Sequence, residues 1–124
     1  MALLVITAIF FIGLDRFLKV LALNLGPDQA LPIIGGLLKF NFIKNYYIAF
    51  SLPFSGIILI IAIFIIIILL IYYFLLSIQK GSFRIALPPL MIIIGAASNL
   101  FDRLRYGFVI DYFDLRWFTV FNLS

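Results

Sequence analysis

The aspartates are the acid–base groups that this sequence offers. The 124-residue chain contains no histidine and no cysteine, and each of its five acidic residues is an aspartate. Without histidine the commonest general base and metal ligand is missing, and without cysteine there are no disulfides, no thiolate catalysis and no cysteine metal sites. We therefore expect no metal and no cofactor, and we expect acid–base chemistry to run on lysine, tyrosine or the aspartates, which are Asp15, Asp28, Asp102, Asp111 and Asp114.

Asp111 has the surroundings best suited to proton transfer. It lies in the apolar run FVIDYF, residues 108–113, where strand alternation would point it away from Ile110 and Tyr112. A carboxyl group in an apolar, poorly hydrated setting has a raised pKa and can hold a proton near neutral pH. The sequence therefore predicts an acid–base role for Asp111, while Asp114 is the weaker candidate, at the rim of the site.

Other charged residues occur within or directly after apolar stretches. Asp15 and Lys19 are one helical turn apart, so they share a face and can pair. The pattern fits either an ion pair that lowers the cost of charge in a membrane or a role in a site. Asp102 and Arg103 end the third apolar stretch and either extend to lipid headgroups or belong to a site. Asn99, one turn before Asp102, favours a hydrogen-bonded network.

Membrane helices must position these side chains. The chain is 66% hydrophobic and 11% charged, with a mean hydropathy of +1.29, whereas about a quarter of the residues in soluble domains are charged. We predict one mainly α-helical integral membrane domain, residues 1–124. Membrane crossing needs roughly 20 apolar residues, and the predicted spans are 2–23, 56–76 and 85–101. The first lacks the basic start and cleavage site of a signal peptide.

Two aromatic segments separate or follow these spans. Residues 24–55 include the alternating run LLKFNFIKNYYIAFS, which predicts strands or an interfacial loop, and residues 104–124 have a similar texture. Trp117 suits a membrane interface. The connection 77–84 has a net charge of +2, so the positive-inside rule places it in the cytoplasm and both aromatic segments outside. The formal charge of +4 is accordingly attributed to topology and headgroup contact, not to nucleic-acid binding.

Taken together, these motifs resemble the bacterial lipoprotein signal peptidase (signal peptidase II) family. The family's Asp-x-x-x-Lys is similar to DRFLK, and its Asn followed by Ala-Phe-Ser is similar to NYYIAFS. The most specific block is GAASNLFDRLRYGFVID, and FNLS resembles the start of a last signature. The matching positions are Asp15, Lys19, Asn45, Ala49, Phe50, Ser51, Gly95, Ala96, Asn99, Asp102, Arg103, Gly107, Val109, Asp111, Phe121, Asn122, Leu123 and Ser124.

The resemblance implies a fold, a reaction and a setting. Family members have four transmembrane helices and a small β-cradle on the extracytoplasmic side. They are aspartyl proteases that cleave prolipoproteins before a diacylglyceryl-modified cysteine, using two carboxylates that share a proton. The implied setting is the bacterial cytoplasmic membrane, with the site on the outer face, a monomeric enzyme, and lipidated prolipoprotein and membrane lipids as partners. Asp111 would be one catalytic carboxylate; the residues that order the site and orient substrate would be Asn45, Asn99, Asp102, Arg103 and Asn122, supported by Asp15 and Lys19.

Three departures from the family pattern modify this expectation. Tyr47 stands where the family usually has glycine, and Ser98 replaces a glycine before Asn99. The family's second catalytic aspartate falls one position after Ser124, followed by the fourth span. We therefore expect residues 1–124 alone to be inactive, as a truncated enzyme or a defective relative. The alternative function is a non-catalytic relative that binds lipidated peptides or a membrane partner.

Overall fold

The computed structural model describes residues 2–26, 29–47 and 56–124, which form long helices and one small sheet. In chain order the elements are α1 (Ala2–Leu25), β1 (Leu31–Ile34), β2 (Leu38–Asn45), α2 (Gly56–Gln79), α3 (Phe83–Tyr106), β3 (Val109–Leu115) and β4 (Thr119–Phe121). Four residues singled out from the sequence lie outside the described ranges: Asp28, Ala49, Phe50 and Ser51.

Each predicted span is helical, but every helix extends beyond its apolar run. α2 continues to Gln79 and α3 begins at Phe83, so the connection is residues 80–82 and not the predicted 77–84. The turn is made by Gly81, which has a left-handed φ of 68° and donates its N–H to the Ile78 carbonyl. α3 ends at Tyr106, and the next residue, Gly107, caps it with a left-handed φ of 81° and an N–H bond to the Arg103 carbonyl.

Among the described residues, two helices are long and apolar enough to cross a membrane. They are α2 and α3, with mean hydropathies of 3.4 and 1.6 over their most apolar windows. Only Leu59 and Ser77 of α2 are buried and most of its other side chains are exposed, as expected where lipid is the solvent. α2 packs along α3. α1 is helical over the predicted stretch but carries three charged residues, so its role as a third span stays a prediction.

The two aromatic segments meet in one antiparallel sheet of order β1-β2-β3-β4. Of the two alternatives that the alternating pattern left open, strands or an interfacial loop, the structure shows strands in both segments. β2 pairs with β3 from Leu38 opposite Leu115 to Asn45 opposite Val109, with an irregularity between Phe40 and Ile43. This pairing brings Asn45, at the end of β2, beside the first residues of β3 that follow α3.

The core lies where α1 crosses the sheet. Ala22 of α1 packs with Phe40 of β2 and with Ile110 and Tyr112 of β3, and all four side chains are buried. α1 also contacts α3, and both helices contact β3, so these three elements meet at one junction. The sheet is at the end of α3 opposite to the connection at residues 80–82. The candidate site residues converge at this junction.

Candidate active site

Asp111 is a buried carboxylate held by two asparagine side chains. Asn45 donates its amide Nδ2 to Asp111 Oδ2 at 2.9 Å, and Asn122 donates Nδ2 to Asp111 Oδ1 at 2.8 Å. Burial raises the pKa of Asp111; the hydrogen bonds from Asn45 and Asn122 and the charges of Lys19 and Arg103 oppose that effect without cancelling it. The raised pKa predicted from its apolar surroundings is confirmed, and its catalytic role stays a prediction.

Asn45 is positioned by the backbone that follows β2. Its Oδ1 accepts a hydrogen bond from the Tyr47 N–H at 2.9 Å, which fixes the amide so that its Nδ2 faces Asp111. Tyr47 does not have a positive φ, because Trp117 is the only non-glycine residue with one among the described residues. The tyrosine at the family's glycine position is therefore accommodated without backbone strain.

Asn122 and Asn99 connect Asp111 to the interior of the protein. Besides Asp111, Asn122 Nδ2 reaches Asn99 Oδ1 at 3.1 Å and the Ile110 carbonyl at 3.3 Å. Asn99 Oδ1 also accepts from Lys19 Nζ at 3.0 Å and from the Ser124 hydroxyl at 2.8 Å. The network predicted from the spacing of Asn99 and Asp102 exists, but the two residues are joined through Lys19 and not directly.

Two carboxylates and two cations form a buried charge cluster, which consists of Asp15, Arg16, Lys19 and Asp102. Lys19 Nζ lies 3.1 Å from Asp15 Oδ2 and 2.8 Å from Asp102 Oδ2, and Arg16 Nη2 lies 2.6 Å from Asp102 Oδ1. Both carboxylates and the Lys19 ammonium are almost completely buried. The expected Asp15–Lys19 pair is present. The reading of Asp102 as a headgroup-facing residue at a helix end is wrong, because it lies inside α3 and binds cations of α1.

Two residues that contact the charge cluster, Ser98 and Tyr112, were not predicted as site residues. The Ser98 hydroxyl donates to Asp15 Oδ2 at 2.6 Å, so the serine that replaces a family glycine adds a buried hydrogen bond. The Tyr112 hydroxyl donates to Asp15 Oδ1 at 3.0 Å and accepts the Leu123 N–H at 2.9 Å. Burial raises the pKa of Tyr112, so it stays a neutral donor. A buried tyrosine normally finds such a partner, but the sequence does not say which.

Arg103 faces the site from α3. Its Nη2 donates to the Tyr47 carbonyl at 2.9 Å, and its Nη1 reaches the Asn99 carbonyl at 3.4 Å. The buried Nε has no hydrogen-bond partner within the described part of the chain. An unpaired buried donor is costly, so Arg103 is held at the site at the expense of one unmade hydrogen bond.

Asp111 opens into a cleft of about 470 Å³. One end is polar and the other apolar, an arrangement suited to a peptide that carries apolar groups. The polar lining is Asn45, Asn99, Arg103, Asp111, Asn122 and Ser124; the remaining lining is Val109, Leu115, Phe118, Thr119, Val120 and Phe121. Among the described residues, no group of three metal-ligating side chains accompanies it.

Gly95 of α3 admits the chain segment that carries Asn122. A Cβ atom at Gly95 would lie 2.6 Å from the Ser124 carbonyl carbon and 3.2 Å from its Cα. The segment against Gly95 is residues 123–124, while Ser98, three residues further along α3, contacts α1 through Asp15. This close approach holds Ser124 within reach of Asn99 and Lys19.

Comparison with known proteins gives consistent matches across the chain. A family model described as Signal peptidase (SPase) II matches residues 7–124. The lipoprotein signal peptidase of Clostridioides difficile is 36% identical, over 97% of this chain and 82% of the relative. The lipoprotein signal peptidase of Halothermothrix orenii is 34% identical, over 96% of this chain and 82% of the relative. A solved structure described as a bacterial membrane enzyme superposes with a TM-score of 0.84 at 25% identity, covering 99% of this chain and 78% of the other.

Proposed function

The chain belongs to the signal peptidase II family, and from this we propose that it acts as a membrane aspartyl endopeptidase on lipid-modified prolipoproteins. In this proposal, the bond cleaved is the one before the diacylglyceryl cysteine. The observation that carries the proposal is Asp111: a buried carboxyl with a raised pKa, held by two asparagines at the polar end of a cleft. A carboxyl group held in this way beside a cleft is suited to general acid–base chemistry.

The proposed chemistry requires a second carboxylate beside Asp111. Two close carboxylates share one proton because both cannot ionise together; the ionised one activates water and the protonated one polarises the scissile carbonyl. Asp102 does not suit this role, since Arg16 and Lys19 already bind both of its oxygens. The family pattern places the second aspartate directly after Ser124, and Ser124 lines the same cleft as Asp111. We therefore expect activity from a protein in which an aspartate follows Ser124.

The remaining site residues would bind and orient the peptide. Arg103 lines the polar end of the cleft, where its guanidinium would face the backbone carbonyls of the substrate. Asn45 and Asn122 hold Asp111, and Asn99 holds Asn122 in turn. This division would leave the apolar wall to the hydrophobic groups of the substrate.

The proposed setting is the cytoplasmic membrane, with the sheet and cleft on the outer face and the enzyme acting as a monomer. The positive connection between α2 and α3 supports this orientation, because the sheet lies at the opposite end of α3. A substrate anchored by its acyl chains can then remain in the bilayer while its peptide enters the cleft. The alternative is that the protein binds lipidated peptides without cleaving them, which the same cleft, with its polar and apolar ends, would also allow.

Cleavage of a lipidated prolipoprotein in vesicles tests the proposal. The protein is residues 1–124 extended by an aspartate and a span of roughly 20 apolar residues, and signal-peptide release is followed on gels. We expect cleavage, and an Asp111→Asn variant should be slower by about 10²–10⁴-fold, as for loss of an acid–base group. Asp114→Asn, the same change three residues along β3, is the control and should keep its rate. Normal cleavage by Asp111→Asn would remove Asp111 from the mechanism; binding without cleavage would favour the alternative.

A further inference from the structure

The sheet ends in two adjacent turns whose side chains are apolar and exposed. One turn joins β1 to β2 and the other joins β3 to β4, and the Arg116 N–H bonds to the Leu37 carbonyl between them at 2.9 Å. We call these two turns, residues 34–37 and 116–118, the tip. Trp117 is 86% exposed and Phe118 is 75% exposed. The tip thus presents a contiguous apolar surface that no described part of the chain covers.

The backbone of the tip holds Trp117 outward. The Phe118 N–H bonds to the Leu115 carbonyl at 3.0 Å, which closes a tight turn with Trp117 at its third position. Trp117 has a φ of 73°, a conformation that glycine or asparagine adopts more readily. The Arg116 guanidinium lies 4.6 Å from the centre of the indole ring. A tryptophan with an adjacent cation is typical of the membrane interface, where the ring and the charge meet different parts of the lipid.

The position of the sheet brings the tip within reach of a bilayer. α3 has 24 residues and is about 36 Å long, enough to cross a hydrocarbon core of about 30 Å. β3 starts three residues after α3 ends, so the sheet begins near the membrane surface. The seven residues of β3 then extend about 23 Å to the tip. An upright sheet would put the apolar tip in water, whereas a sheet lying along the membrane puts it among headgroups.

The tip is also continuous with the Asp111 cleft. Phe118 and Leu115 belong to the apolar part of the cleft lining, and Phe118 is at the same time a tip residue. One wall of the cleft therefore ends at the surface that would meet lipid. The depth of the tip in the membrane therefore also sets the depth of the apolar end of the cleft.

We propose that the tip inserts into the headgroup–acyl boundary of the leaflet on the sheet's side and holds the apolar end of the Asp111 cleft there. The partner is the phospholipid bilayer itself. Trp117, Phe118 and Leu37 enter the edge of the hydrocarbon, and Arg116 meets lipid phosphates. This surface requires no catalytic role for Asp111, so its test is independent of the peptidase proposal.

The fluorescence of Trp117 measures this directly, because it is the chain's single tryptophan. Residues 1–124 are reconstituted in vesicles of phosphatidylcholine and phosphatidylglycerol. We expect blue-shifted emission, strong quenching by lipids spin-labelled near the glycerol end of the acyl chain, and weak quenching by aqueous iodide. That pattern corresponds to a depth of about 5–10 Å below the surface. Water-like emission that iodide quenches and spin-labelled lipid does not would overturn the proposal.

Two leucines of the same hairpin provide a matched pair of variants. Leu37 and Leu31 are both 52% exposed, but Leu37 is in the tip and Leu31 is at the opposite end of β1. Leu37→Ser should shift the emission to the red and weaken lipid quenching, and Leu31→Ser should change neither. Equal effects of the two substitutions would contradict a localised tip. Emission that depends on the lipid-to-protein ratio would also overturn the proposal, since it would show that a second copy covers the tip.

Discussion

The ammonium group of Lys19 contacts both the buried carboxylates and the polar end of the cleft. It lies within 3.1 Å of Asp15 and Asp102, and it donates to Asn99 and Ser124 at 3.0 and 3.1 Å. With Arg16, it makes the cluster electrically neutral, two cations against two carboxylates. Lys19 therefore joins the cluster to the asparagine network, as does the Ile110 backbone, whose N–H donates to Asp102 and whose carbonyl accepts from Asn122.

Replacing Lys19 with methionine should destabilise the protein strongly. The substitution keeps most of the side-chain volume but leaves Asp15 and Asp102 buried with one cation between them. Removing one partner of a buried ion pair costs about 3–5 kcal/mol, and we expect that loss in the free energy of unfolding in detergent. Lys80→Met, at the exposed connection after α2, is the control and should change little. Similar stability of the two variants would mean that the cluster contributes no net stabilisation.

At the level of single residues, the sequence was informative about chemistry but not about partners. The apolar run around Asp111 correctly predicted its raised pKa, because burial is the main cause and hydrophobic neighbours indicate burial. Ser98 and Tyr112 were missed as site residues. Their hydroxyls matter only because Asp15 lies against them, and 83 and 97 positions separate them from it.

At the level of elements, the apolar runs located the helices but not their ends. α3 continues five residues beyond the predicted span, to Tyr106, through a turn that contains Asp102 and Arg103. Charged residues after an apolar stretch normally mark the water boundary. Here the cations of α1 neutralise Asp102, so the helix carries it without exposure. Alternation within each short segment indicated strands, although the same pattern also allowed an interfacial loop.

The contact between α3 and residues 123–124 gives a prediction about Gly95. A Cβ atom there would overlap the Ser124 backbone, which, unlike a flexible side chain, has no alternative rotamer. We expect Gly95→Ala to destabilise the protein by about 1–3 kcal/mol, as overpacking does, and to shift the NMR signals of the Asn122 side-chain amide.

Gly13→Ala is the control for this substitution. Gly13 is also inside a helix, but a Cβ atom there meets nothing within 4 Å. Alanine should stabilise α1 by roughly 0.5–1 kcal/mol through its helix propensity. An unchanged Asn122 signal in Gly95→Ala would show that the segment is held by its hydrogen bonds alone.

At the level of the whole molecule, the sheet unites two segments that the sequence separates by two long helices. Their shared aromatic texture predicted strands or an interfacial loop in each, and the positive-inside rule predicted that they lie on one side. Strand order and register depend on contacts between distant residues, such as Asn45 with Val109, and were not readable from either segment.

Labelling of single cysteines in intact cells tests the proposed orientation. The chain has no cysteine, so each introduced thiol is the only target. Gln79→Cys, at the end of α2, and Arg105→Cys, near the sheet end of α3, are both exposed positions. We expect a membrane-impermeant maleimide to label Arg105→Cys and to label Gln79→Cys only after the cells are opened. The reverse pattern would invert the orientation and place the cleft in the cytoplasm.

The buried charge cluster also bears on how the protein is made. Asp15, Arg16 and Lys19 are synthesised early, and 86 positions separate Arg16 from Asp102, its partner on α3. In the predicted three-span arrangement, α1 holds the Asp15–Lys19 pair by itself, but Arg16 has no Asp102 to bind until α3 has been translated. An unpartnered charge at a bilayer centre costs roughly 2.5–3.5 kcal/mol. We therefore expect α1 to remain beside the insertion machinery or at the membrane surface until α3 has been synthesised. It would move to its final place only when α3 arrives, so the last helix described would complete the insertion of the first.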